Sequence, residues 1–167
     1  MQPISIACFH QDVWIRVTGR GNFQSSFALK KLVQETINKG YVRYVIDLKE
    51  CDQLDSTFMG TVTGIAQRLR QYPESNFRVV NVNNSNQELM ENLGLDELFS
   101  IQPLSIKQEL PPDTNAAFCA TSSCSIPSTE EKAKIQELVI SAHEALVAAN
   151  TGNAEKFKTV FEICSHH

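Results

Sequence analysis

A chain of 167 residues with a formal net charge of −4 is long enough for one domain with an extension, or two small units, and buries a core without disulfide staples. Its 42% hydrophobic and 20% charged residues are the composition of an ordinary soluble globular protein. The acidic balance provides no basic field to neutralise phosphates, which argues against a nucleic-acid partner.

No run approaches the ~18 apolar residues of a membrane span, so no direct membrane insertion is expected. Residues 1–14 alternate in polarity, carry His10 and Asp12, and lack the apolar centre of a signal peptide. The expected location is therefore cytoplasmic. Five cysteines occur without a CxxC pair. Cys8, Cys51 and Cys164 lie in apolar patterns, where a free thiol acts as a small hydrophobe. Cys119 and Cys124 lie in a polar segment where pairing is open, though a reducing cytosol disfavours it. No histidines, cysteines or acids fall at metal-ligand spacing, and no metal or other cofactor is expected.

Ile4, Ile6 and Cys8 alternate with polar residues, as do Val13, Ile15 and Val17 after a turn near residues 10–12. Period two with this spacing predicts a hairpin of two strands, each with one buried face. Gly19-Arg20-Gly21-Asn22 then breaks the pattern. A helix follows, with Ser25 or Ser26 as its N-cap and a stripe of Ala28, Leu29, Leu32, Val33, Thr36 and Ile37. Gly40 suits the left-handed position that stops it. Residues 41–48 are β-branched, aromatic and nearly continuous in apolar character, the signature of a strand covered on both faces. A second helix spans residues 57–71, with Phe58, Val62, Ile65, Ala66 and Leu69 on its buried stripe.

Residues 77–82 form another interior strand. Ser85-Asn86-Gln87-Glu88 is a capping box that opens a third helix carrying Leu89, Met90 and Leu93, closed by Gly94. Residues 98–101 form a short last strand. The order to residue 104 is β-β-α-β-α-β-α-β, which predicts an open α/β sheet, mixed through the opening hairpin and parallel thereafter. Residues 105–127, with Pro111-Pro112 and Pro127, read as a linker or long loop. Residues 128–167 form a helical extension. Its long helix opens on a capping box at Ser128-Thr129-Glu130-Glu131 and presents Ile135, Leu138, Val139, Ala142, Leu146 and Val147 on one face. A short helix then carries Phe157, Val160, Phe161 and Cys164. The domain division is 1–104, 105–127 and 128–167, and the extension has the option of completing the first domain or of joining two chains.

The stretch from Asp47 to Gly60 carries the most information. A strand ending at Leu48 passes through a short loop that delivers Asp55-Ser56-Thr57 to a helix start. Open α/β sheets place their sites at the carboxyl ends of the strands. A phosphate on Ser56 would meet unpaired backbone N–H groups and the positive end of the helix dipole, opposed in part by Asp55. Such a group adds about −1.5 to −2 charges and would act on a docked partner. The bland alternative is that Ser or Asp here is only an N-cap.

Asp47-Leu48, followed by Leu54-Asp55-Ser56-Thr57-Phe58-Met59-Gly60, resembles the STAS motif. Residues 79–82 and Leu89-Met90-Glu91-Asn92-Leu93-Gly94-Leu95-Asp96-Glu97-Leu98-Phe99 look like the same family's fourth strand and third helix. The resemblance covers about residues 3–103. It implies a non-enzymatic binding module of the anti-sigma factor antagonist class. Such a module captures a serine kinase that sequesters a sigma factor, loses it on phosphorylation of the serine matching Ser56, and is restored by a PP2C-type phosphatase. Partner contacts would then fall on Asp55, Thr57, Met59, Gly60 and Asn22. Two departures stand out: Gly19-Arg20-Gly21-Asn22-Phe23 lacks the acidic residue common in that loop, and Phe58 occupies the usual glycine position.

Weaker signals have plainer readings. Gly19-x-Gly21 is an incomplete dinucleotide fingerprint. Gly60 and Gly64 suit close packing. Phe58 fits the core stripe, whereas Met59 lies off it and is expected as an exposed apolar contact. Asp47 and Asp55 make a weak candidate for an acid–base pair. The functional alternatives are a constitutive STAS adapter, such as a cytosolic accessory of a membrane transporter, and a dimerisation module forming a homo-oligomer through the C-terminal helices.

Overall fold

The computed structural model describes residues 3–103, 119–120 and 129–158. Strand β1 (Ile4–Phe9) turns through His10, whose φ of 55° is left-handed, into β2 (Asp12–Gly21). The two pair antiparallel, Ile4 opposite Val17 and Ile6 opposite Ile15. β3 (Arg43–Leu54), β4 (Asn76–Val82) and β5 (Ser100–Pro103) then add in parallel. A two-residue strand β6 (Cys119–Ala120) lies antiparallel to β1, so the sheet runs β5-β4-β3-β2-β1-β6. The mixed α/β sheet expected from the element order is the one observed.

The period-two pattern decides which face each side chain takes. One face carries Ile4, Val13, Ile15, Val17, Tyr44, Ile46, Leu48 and Val79, all buried. These pack in a single apolar cluster with Leu29, Val33 and Ile37 of α1 (Phe23–Asn38) and with Phe58, Val62, Ile65 and Leu69 of α2 (Ser56–Leu69). Met90 of α3 (Asn84–Asn92), Leu95 of the 3-10 turn Leu95–Glu97, and Leu146 of α4 (Thr129–Ala149) join the same cluster. α4 therefore completes the helical layer of the domain by packing along α2 and also touching α1. The short helix α5 (Asn153–Lys156) is tied back through Asn153, whose Nδ2 donates to the carbonyls of Leu93 (3.2 Å) and Leu146 (2.8 Å).

The opposite face holds Ala7, Trp14, Val45 and Val80, with the Arg78 guanidinium 5.9 Å from the Trp14 ring centre. It also holds a polar network. Asp47, fully buried, accepts from Arg16 Nε at 3.0 Å, Asn81 Nδ2 at 2.8 Å and the Lys49 amide at 3.0 Å.

Several boundaries differ from the sequence expectation. α1 starts at Phe23, and its N-cap is Asn22 instead of Ser25 or Ser26. The Asn22 side chain accepts from the amides of Gln24 and Ser25, and Ser25 Oγ accepts from the Asn22 amide. The serines are one turn too late because the reciprocal box needs its hydroxyl at the third helical position. α3 likewise starts two residues early, capped by Asn83. β2 and β3 run on to Gly21 and Leu54, pairing through two register shifts. What the sequence suggests as a pattern break and a loop is thus a bulged pair of strands, where extra residues upset strict alternation. β5 falls two residues later than expected. β6 lies inside the stretch read as a linker. Ser128, Val160, Phe161, Cys164 and Cys124 fall outside the described residues.

Candidate functional site

Adjacent parallel strands β2 and β3 end together, and the Asp55 amide closes the pair on the Gly21 carbonyl at 2.8 Å. The N-termini of α1 and α2 therefore start from neighbouring strand ends, capped by Asn22 and Asp55. Gly21 is needed for this junction, since a Cβ there would fall 2.4 Å from Leu54 Cδ2 and 3.0 Å from Phe58 Cγ.

Asp55 is the N-cap of α2, its carboxylate accepting from the Phe58 amide at 2.8 Å. The residue keeps an exposed edge, yet loss of hydration on its helix side pushes the carboxyl above its ordinary value. The amide bonds from Phe58 and Thr57 pull the other way. Ser56 is the first residue of the helix and is half-buried. Its Oγ lies 2.9 Å from Nε2 of His143, across the seam between α2 and α4. Nδ1 of the same ring lies 2.7 Å from the Val139 carbonyl oxygen. A carbonyl can only accept, so Nδ1 carries a hydrogen; with the ring in that tautomer Nε2 offers a lone pair to which the Ser56 hydroxyl donates. The imidazole is 2% exposed and meets the edge of Phe157 at 4.7 Å.

The rest of the seam is close. A Cβ on Gly60 would stand 2.1 Å from the Ala142 carbonyl oxygen, so the two helix backbones touch there. A Cβ on Gly64 would lie an ordinary 3.6 Å from Ala145 Cβ, and Gln67 Nε2 donates to the Ala145 carbonyl at 3.3 Å. Ser56, Gly60, Gly64 and Gln67 follow helical spacing and form one edge of α2.

The sequence-derived candidates therefore separate. Asn22, Asp55 and Ser56 lie at the carboxyl edge of the sheet, while Thr57, Met59 and Gly60 are buried. Met59, expected as an exposed contact, is 4% exposed. Met59 joins the same apolar cluster as the predicted stripe, which is wider than its periodicity suggested, and α4 covers a further edge of α2 at Gly60. Phe58 is in the core as expected. Gly60 and Gly64 serve helix packing, again as expected. Gly19 and Gly21 belong to a strand, which removes the context a dinucleotide loop requires. Asp47 and Asp55 are not brought together as an acid–base pair: Asp47 is bonded to Arg16 and Asn81, and Asp55 caps a helix. Sequence reasoning missed His143. Its place beside Val139, Ala142 and Leu146 marks a histidine on an apolar face, but nothing local names a partner 87 positions earlier.

The fold and this strand-to-helix junction define a known class. The STAS domain family model matches residues 4–108, more than half of the chain. The chain belongs to the STAS domain family. A crystal structure of a Thermotoga maritima protein assigned as an anti-sigma factor antagonist superposes with a TM-score of 0.55 at 20% identity, covering 59% of this chain and 85% of that one. An anti-sigma factor antagonist from Mycobacterium paratuberculosis gives 0.54 at 20% identity, with 60% and 84% covered. At that identity the likeness is one of fold. No curated protein matches the chain at a significant level. Among the described residues, no helix is long and apolar enough to cross a membrane.

Proposed function

We propose that this STAS domain is a non-catalytic regulatory binding module of the anti-sigma factor antagonist kind, acting by partner switching with Ser56 as the phosphorylated residue. The observation that carries the reading is the position of Ser56. It is a half-buried hydroxyl on the first turn of α2, directly after the carboxyl end of β3. The dipole at a helix N-terminus favours an added anion even where Asp55 already takes the Phe58 amide, while a docked partner would have to desolvate it. The partners on this reading are a serine kinase that also holds a sigma factor and a PP2C-type phosphatase, all in the cytoplasm. Asn22, Asp55 and Ser56 supply the exposed part of the surface. Thr57, Met59 and Gly60 support it from below.

A second reading has its own support. The Ser56 hydroxyl is already spent on His143, which suits a constitutive adapter whose serine builds structure and is never modified. Incubation of the full chain with ATP and the serine kinase of its own genome, followed by intact mass and peptide mapping, separates the two. One phosphate, on Ser56, is the expected result. Ser56→Asp should bind that kinase at least about tenfold more weakly, equivalent to ~1.4 kcal/mol. No phosphate, or phosphate elsewhere, favours the adapter.

A further inference from the structure

The edge of α2 that begins at Ser56 is covered within the same chain. From the contacts along that edge we infer that α4 is an intramolecular cover, latched by the hydrogen bond from Ser56 to His143 and released when Ser56 carries a phosphate. The inference rests on the reading of Ser56 as a phosphoacceptor.

Three features fix the direction of the effect. The gap between Ser56 Oγ and His143 Nε2 is already at hydrogen-bond length, 2.9 Å, and a tetrahedral phosphoryl group does not fit within it. His143 cannot simply turn aside. Its Nδ1–H is held by the Val139 carbonyl at 2.7 Å, and its ring stands against Phe157. α4 cannot yield by a small slide either, because its backbone at Ala142 rests on Gly60 next to the latch. Phosphorylation also replaces the hydroxyl hydrogen by the phosphoryl group, so the Ser56 donor is lost, and it sets a dianion in the seam beside the Asp55 carboxylate. A group of that charge is better hydrated outside the seam. Moving His143 away takes the adjoining turn of α4 with it and uncovers Gly60, Gly64 and the apolar side of α4 at Leu138 and Ala142, all buried or packed in the closed form. The modification would thus change which surface the domain offers, beyond adding charge to it.

The test installs phosphoserine at position 56 of the full chain by genetic encoding, so that no kinase is required. Hydrogen–deuterium exchange is then read along α4 and, as an internal reference, along β2 to β4. Release predicts that exchange across residues 136–149 rises at least about tenfold while the strands stay unchanged. His143→Ala should produce a smaller rise in the same segment, and adding phosphoserine to that variant should add less than it does to the wild type. Unaltered exchange in α4, or strands and α4 rising together, overturns the inference. The functional reading fails separately: if phosphoserine frees α4 but the kinase leaves Ser56 unmodified, the latch stands and the switch assignment falls.

Discussion

Two of the polar contacts that join distant parts of this chain are built differently. Asp47 sits within the sheet, where every bond it makes runs to β2, β4 or its own strand, and its charge is matched by Arg16. Ser56 and His143 meet across two helices that also touch where Gly60 faces Ala142 and where Gly64 and Gln67 face Ala145. The first network cannot open without separating strands. The second opens when one helix lifts. A buried charge held in a sheet is therefore a fixed structural element, whereas a single hydrogen bond across a helix seam is suited to opening.

The largest expected effect sharpens that contrast. Asp47→Ala removes the buried acceptor shared by Arg16, Asn81 and the Lys49 amide, leaving Arg16 the exposed Glu50 carboxylate at 4.0 Å, and should cost about 3–5 kcal/mol in urea denaturation. A loss below ~1 kcal/mol would remove the distinction between the two contacts. Next comes the seam. Gly60→Ala forces a methyl into the Ala142 carbonyl and should cost about 1–3 kcal/mol, with faster exchange in α4. Gly64→Ala, four residues on with ordinary clearance, should be neutral or gain up to ~1 kcal/mol from helix propensity. If both glycines respond alike, the backbone contact is not where the helices are held.

Smaller effects fall at the cap. Asp55→Ala removes the acceptor for the Phe58 amide and should cost about 1 kcal/mol. Asp55→Asn keeps an acceptor but abolishes the charge. Because burial raises the Asp55 carboxyl above its ordinary value, the folded protein holds that proton more tightly than the unfolded chain does. The associated stability is full below the unfolded carboxyl value and is lost as pH rises through the folded one. The Asn variant should therefore gain on the wild type as pH increases through that acid range, and the two should converge at lower pH, as read by thermal melts in a pH series. Ser56→Ala gives up a single hydrogen bond across the seam, with an expected cost of about 1 kcal/mol and a response confined to α4.

Much of this molecule is written in local pattern. Alternation at Ile4–Ile6 and Val13–Val17 announces the hairpin. The continuous apolar run at residues 44–48 announces an interior strand, and Asp55-Ser56 announces the start of α2. Helix starts were less legible, because Asn22 and Asn83 compete with nearby serines for the same role and only the reciprocal bonds choose between them. The ends of β2 and β3 were hidden by bulges, which suspend the period that would have revealed them.

The sequence by itself determined the sheet, the helices that alternate with its strands and the position of Ser56 at a strand-to-helix junction, because those depend on periodicities of two and 3.6 residues and on caps that act within one turn. Only the tertiary structure decided that α4 lies along α2, that Met59 and Gly60 are covered, and that His143 receives the Ser56 hydroxyl. Contacts between segments that far apart come from which apolar faces find each other when the chain closes, and no short-range signal encodes that choice.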